Sequence, residues 1–69
     1  GVDGLDLVRR LMVQLPVRVS PGGVVLLEVG VGQAGSVAAL AESLPIPVAT
    51  TQLPDLAGVE RVVRIARLD

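Results

Sequence analysis

The run of residues 24–29 (VVLLEV) constrains the chain most, because it is apolar on both alternating faces and is interrupted only by Glu28. Such a run is typical of a parallel β-strand that other elements cover on both sides. A chain of 69 residues buries only about 60% of the surface that its unfolded form exposes, so it has little material with which to cover two faces. We therefore expect at most one domain, which depends on cover from elsewhere.

The residues around this run predict the element order helix, strand, helix, strand, strand. Asp3 and Asp6 favour the start of the first helix, and Pro16 is expected to end it. The second helix follows the glycine-rich residues 30–35 and is expected to end at Pro45. Both helices are inferred from apolar residues at helical spacing. These are Leu5, Val8, Leu11, Met12 and Leu15 in the first helix, and Val37, Leu40, Ala41 and Leu44 in the second.

The last two predicted strands are residues 48–53 (VATTQL) and 60–68 (ERVVRIARL). The short turn between them can join only near neighbours, so residues 48–53 and 60–67 are expected to pair antiparallel. Two buried strands and one connecting helix cannot cover both faces of their own sheet, so the missing layer is expected from residues outside this chain. The open apolar edge also predicts that the isolated chain self-associates.

Composition removes several classes of function. Cysteine and histidine are absent, which excludes disulfides, thiolate chemistry, the usual zinc sites and imidazole acid–base catalysis. Without lysine or histidine, Ser20, Ser36 and Ser43 have no activating base, so serine nucleophiles are rejected. Aromatic residues are absent and the net charge is −1, so a nucleic-acid partner has no support. The apolar runs are also far shorter than the roughly 20 residues that span a bilayer, so no membrane partner is expected.

Residues 30–35 read GVGQAG, a literal GxGxxG between a strand and a helix. One interpretation is a nucleotide-binding βαβ module that uses Gly30, Gly32 and Gly35 to approach a phosphate. With Glu28 the loop also imitates the ExGxG loop of many methyltransferases. Both interpretations need a ribose-binding carboxylate at the end of the next strand, which reads TTQL, and Asp55 comes too late to replace it. A strand-to-helix turn that needs glycine for its backbone is the other interpretation, and we favour it.

Glu28 is the one carboxylate in the buried-looking strand. An unpaired buried charge is costly, so we expect Glu28 either at the carboxyl end of the strand near a crevice or in an ion pair with Arg61 or Arg64. The ion pair is favoured over work as a general base.

Four segments in collinear order, covering nearly the whole chain, resemble one enzyme family. They are GVDGLD at 1–6 with RL at 10–11, PGG at 21–23, LLEVG at 26–30 with Gln33, and DLAG at 55–58 with RVV at 61–63. Together they resemble the carboxyl-terminal third of the HemK (PrmC) family. The resemblance implies an α/β, Rossmann-like class I methyltransferase sheet, of which residues 1–69 form a single partial domain. Residues 24–29 would be the fifth strand of a seven-stranded sheet, and the last strand would lie between the other two strands of this chain.

The resemblance also implies a function for the parent enzyme. Members of this family are cytoplasmic and use S-adenosylmethionine to methylate the side-chain amide of the glutamine in the Gly-Gly-Gln motif of peptide chain release factors. Their cofactor loop and Asn-Pro-Pro-Tyr motif precede this region, and the sequence contains no Asn or Tyr. No catalytic or cofactor-binding residue is therefore carried over, and the fragment alone is expected to be inactive. Gly32 and Glu60 depart from the family pattern, the first by losing a polar side chain and the second by replacing Asp.

Overall fold

The computed structural model describes residues 4–69 as an α/β arrangement of two helices and three strands, in the predicted order. Asp3, expected to favour the first helix, lies outside the described residues. The elements are α1 (Asp6–Arg18), β1 (Val24–Glu28), α2 (Ala34–Glu42), β2 (Val48–Pro54) and β3 (Glu60–Arg67).

The sheet has the strand order β1-β3-β2, and β3 is antiparallel to both neighbours. The predicted hairpin and the predicted central position of the last strand are therefore confirmed. Because β1 and β2 both run opposite to β3, they run parallel to each other and end at the same edge of the sheet.

The environment of β1 differs from the expectation for residues 24–29. Within the described sheet β1 pairs only with β3, in an antiparallel ladder, and it is not a strand covered on both sides. The side chains of Val24 and Leu26 remain 46% and 64% exposed, whereas Val25 and Leu27 face the core. The reason is that both helices lie on one side of the sheet, so the residues of β1 that point to the other side have no cover among residues 4–69.

The helix α2 packs against β2 and β3, and α1 packs against α2 on the same side of the sheet. The three largest fully buried side chains are Ile65 and Val63 of β3 and Val37 of α2. Alanines at 34, 38 and 41 are buried on α2, and their small side chains let the helix backbone lie close to the strands. Met12 and Leu15 complete the core from α1. The opposite face of the sheet has no covering element among residues 4–69.

The prediction that Pro16 ends α1 is wrong, since the helix continues to Arg18. Pro16 lies in the last turn, where its missing N–H removes a single helical hydrogen bond, and the Val19 N–H still donates to the Leu15 carbonyl at 2.9 Å. The terminal carbonyls also have a donor from outside the helix. Nη1 of Arg67 donates to the carbonyl oxygens of Pro16 at 3.0 Å and Val19 at 2.6 Å.

Asp69 holds the same guanidinium from its other side. Nε and Nη2 of Arg67 donate to the two carboxylate oxygens of Asp69 at 2.6 and 3.1 Å. This hydrogen bonding lowers the pKa of Asp69 and raises the pKa of Arg67. Arg67 thereby connects the end of β3 to the end of α1.

We expect Arg67→Lys to lower the thermal unfolding midpoint of the chain, because an ammonium group cannot reproduce the planar fork that bonds both a carboxylate and two carbonyls. Arg10→Lys on α1 is the matched control and should leave the midpoint unchanged.

The lowered pKa of Asp69 means that its contribution to stability is present above its ordinary pKa of 3.8 and is lost as the pH falls through the lower folded value. Circular dichroism melts from neutral to strongly acidic pH should show this loss in the parent chain and a smaller one in Asp69→Asn. Equal acid sensitivity of the two would contradict the assignment.

Candidate functional site

An open crevice of about 480 Å³ lies at the edge of the sheet where β1 and β2 both end. In open α/β sheets, ligands bind beyond the carboxyl ends of the strands, which makes this edge the natural place for a site. The crevice is lined by the end of β1, the turn after β2 and the start of β3. Its lining residues are Glu28, Pro54, Asp55, Leu56, Arg61 and Val62.

Glu28 is the last residue of β1 and lines the crevice. The predicted position at the carboxyl end of the strand near a crevice is therefore confirmed. The predicted ion pair with Arg61 or Arg64 is wrong, because the described residues contain no ion pair of Glu28. The ladder gives the reason: Glu28 lies opposite Val62, so Arg61 belongs to the other face of the sheet, while Arg64 lies opposite Leu26. The Glu28 side chain is instead exposed to solvent.

Arg61 contacts Asp55 rather than Glu28. Its Nη1 lies 4.0 Å from Oδ2 of Asp55, and the two side chains are 39% and 32% exposed. Nε of Arg61 is buried with no hydrogen-bond partner among the described residues. The guanidinium therefore forms one side of the crevice through a single long ionic contact.

Asp55 organises the turn between β2 and β3. Its Oδ1 accepts hydrogen bonds from the backbone N–H groups of Ala57 at 2.9 Å and Val59 at 3.0 Å. Its own N–H donates to the Val59 carbonyl at 2.7 Å, and the N–H of Gly58 donates to the Asp55 carbonyl at 3.0 Å. Gly58 has φ +84°, a conformation that glycine adopts without strain. The DLAG segment is thus a side-chain-supported turn, and the Asp55 carboxylate is already engaged.

The side chain of Gln33 closes the glycine-rich loop of residues 30–35. The N–H of Gly30 donates to Oε1 of Gln33 at 3.1 Å, and the N–H of Gln33 donates to the Gly30 carbonyl at 3.0 Å. A Cβ at Gly30 would lie 2.8 Å from that Oε1, so this glycine makes room for Gln33. Gly32 has φ +80°, whereas Gly35 lies inside α2. The N–H groups of Gly30 and Gln33 are thus bonded within the loop, and Asp55, the carboxylate that follows β2, is bonded within its own turn.

Within residues 4–69 there is no group of three or more His, Cys, Asp or Glu residues placed to hold a metal ion. Neither described helix is long and apolar enough to cross a membrane. Among the serines, Ser43 uses its hydroxyl to donate to the Leu40 carbonyl at 2.7 Å, a local bond at the end of α2.

Two curated proteins are similar to nearly the whole chain. One, from Bradyrhizobium diazoefficiens, is 35% identical over 68 residues, which is 99% of this chain and 23% of the relative. The other, from Cereibacter sphaeroides, is 41% identical over 63 residues, which is 91% of this chain and 22% of the relative. Both are named release factor glutamine methyltransferase. The resemblance to this methyltransferase family is confirmed.

The chain spans less than a quarter of the length of these methyltransferases. No protein-family model matches it, and no solved structure does.

Sequence reasoning missed two features of the crevice. Leu56 is fully exposed at the tip of the turn, and the Asp55–Arg61 contact was not anticipated. The signal for the contact is present in the sequence, because a carboxylate before a glycine-containing turn and an arginine just after it are brought together when the turn closes. Nothing in the sequence alone marks Leu56 as exposed.

We expect Asp55→Ala to destabilise the hairpin by roughly 1–3 kcal/mol, because two backbone amides lose their acceptor. Asp55→Asn is the matched control, since an amide oxygen can still accept and the loss should be smaller. Urea unfolding measures the total effect, and amide hydrogen exchange of Ala57 and Val59 measures it locally. Unchanged exchange at both amides in Asp55→Ala would contradict the assigned turn.

Proposed function

We propose that this chain is the carboxyl-terminal part of the catalytic domain of a cytoplasmic, S-adenosylmethionine-dependent methyltransferase. Its substrate would be the side-chain amide of the glutamine in peptide chain release factors. The observation that carries this proposal is the match of 99% of the chain to a relative named release factor glutamine methyltransferase, with a second relative of the same name.

The sheet supports the proposed placement in a Rossmann-like methyltransferase domain. The last strand lies between the other two, and β1 and β2 run parallel, as the family resemblance implies for the final three strands of a seven-stranded sheet. One edge of β1 has no partner among the described strands, and an additional strand of the parent sheet would pair there. Residues 1–69 would then be a partial domain.

The contribution we assign to this chain is structural and peripheral to the chemistry. The whole enzyme would take its methyl group from S-adenosylmethionine, but in this chain the N–H groups of Gly30 and Gln33 are bonded within the loop. The sequence also lacks the Asn and Tyr of the family's amide-holding motif. We therefore propose that the isolated chain neither binds the cofactor nor transfers a methyl group. In the enzyme, the chain would supply the strands at one edge of the sheet and the crevice at the carboxyl ends of β1 and β2.

A segment replacement tests the function. In the Bradyrhizobium diazoefficiens enzyme, the segment that matches this chain is replaced by this chain. Transfer of labelled methyl groups from this hybrid enzyme to a Gly-Gly-Gln peptide is then measured. We expect the hybrid to transfer methyl groups, and the same hybrid carrying Ile65→Asp to lose activity because a charge replaces a fully buried side chain. A hybrid that unfolds cooperatively and binds S-adenosylmethionine but leaves the peptide unmodified would contradict the proposal.

The isolated chain separates this proposal from the nucleotide-binding alternative. Calorimetric titration with S-adenosylmethionine and with dinucleotides up to about 1 mM covers the weak end of ordinary ligand affinities. We expect no saturable binding. Saturable binding that is lost in Gly32→Val would favour the βαβ module that uses Gly30, Gly32 and Gly35.

We also propose that the isolated chain associates with a second copy of itself through the open face and edge of β1. Val24 and Leu26 are exposed there, next to unpaired strand backbone, and such an edge pairs readily with another chain. Sedimentation equilibrium at protein concentrations on the order of tens of micromolar should show a dimer or a larger species. Leu26→Lys should shift the distribution towards monomer, whereas Leu7→Lys on the exposed side of α1 should not. A monomer that melts cooperatively would overturn this proposal.

A further inference from the structure

The crevice at the carboxyl ends of β1 and β2 combines a carboxylate, a guanidinium and an apolar rim. We propose that it docks a basic side chain of the protein substrate, on the polypeptide that flanks the methylated glutamine. This inference deepens the proposed function and rests on it, since the substrate is taken to be a polypeptide.

The charges of the lining residues determine which side chain fits. The charges of Asp55 and Arg61 face each other at 4.0 Å and cancel in the net charge of the crevice, and the other carboxylate oxygen of Asp55 accepts two backbone amides of the turn. Glu28 makes no ion pair in the described part of the chain and is exposed at the crevice. The crevice therefore presents one uncompensated negative charge, which is complementary to lysine or arginine and repels an acidic side chain.

The apolar lining suits the stem of such a side chain. Leu56 is fully exposed at the rim, and Pro54 and Val62 also line the crevice. Lysine and arginine bury their methylene stems along apolar surface while the charged head reaches a polar partner.

The position of the crevice relates it to the proposed reaction. Glu28 and Pro54 are the last residues of β1 and β2, and this edge of an α/β sheet is where substrates bind. A volume of about 480 Å³ accommodates a side chain and its flanking backbone. An extended substrate segment that crosses this edge would place one basic residue against Glu28.

Binding by the full 69-residue chain is the first measurement. Two probes are used: a Gly-Gly-Gln peptide flanked by arginines, and the same peptide flanked by glutamates. Nuclear magnetic resonance titration should show saturable shifts at the backbone amides of Glu28, Leu56 and Val62 with the arginine peptide, and at least tenfold weaker binding of the glutamate peptide. Equal binding of the two peptides, or shifts confined to other parts of the chain, would overturn the docking site.

Variants then test the individual residues. Glu28→Gln should weaken binding of the arginine peptide several-fold, and Glu28→Arg should reverse the preference between the two peptides. Glu42→Gln removes an exposed carboxylate from α2, outside the crevice, and should change neither affinity. Circular dichroism confirms that the variants remain folded, which is expected because the Glu28 side chain is exposed.

The segment-replaced enzyme distinguishes this inference from the proposed function. There, Glu28→Gln should raise KM for the arginine peptide several-fold and leave kcat unchanged, because the carboxylate positions the substrate and takes no part in the chemistry. If the hybrid enzyme with Glu28 and the hybrid enzyme with Glu28→Gln both transfer methyl groups with the same KM for the arginine peptide, only the docking site is overturned. Charge-dependent peptide binding without any methyl transfer overturns the proposed function and leaves the docking site supported.

Discussion

The pairing of the sheet, the packing of the core and the position of the crevice all depend on the central strand β3. It is hydrogen-bonded along both edges, to β1 and to β2, and its Val63 and Ile65 are almost completely buried beneath the helices. Because Val63 and Ile65 occupy alternate positions, the side chains at 62, 64 and 66 are directed to the opposite face of the sheet. The direction of β3 also makes β1 and β2 parallel, so their carboxyl ends meet at one edge. The crevice exists because of this arrangement, with Glu28 contributed by one strand end and the Asp55 turn by the other.

Apolar spacing, turn length and the family resemblance together predicted most of the fold. The element order, the hairpin and the central place of the last strand follow from apolar spacing, a short turn and the family resemblance, and the structure has all three. The error at Pro16 arose because proline was treated as a stop signal, whereas in the last turn its missing N–H removes a single helical hydrogen bond, and a distant arginine bonds the carbonyls of Pro16 and Val19. Which face of β1 the helices cover could not be predicted, because an apolar run indicates that a strand is compatible with burial but does not show which face is buried.

The candidate site was less predictable than the fold, and Glu28 shows why. Its position at the end of a strand could be inferred from the run, but its partner could not. Pairing it with Arg61 or Arg64 required the register between β1 and β3, and a shift of one residue changes which side chains share a face. The glycine-rich loop of residues 30–35 was also not predictable in its detail. Its GxGxxG pattern matches a phosphate loop letter for letter, yet Gln33 closes the turn from within, and that bond depends on backbone geometry that the pattern does not contain.

The contact of Arg67 with the end of α1 has a consequence for the order in which the chain assembles. It joins residues that are 51 and 48 positions apart, so closing it requires nearly the whole chain to be in place. On a ribosome, α1 emerges long before β3, and its last carbonyls must stay bonded to water until Arg67 has been synthesised. Although α1 is synthesised before the strands described here, its end is thus among the last parts to be fixed, and a truncation that removes the end of β3 would be felt at α1.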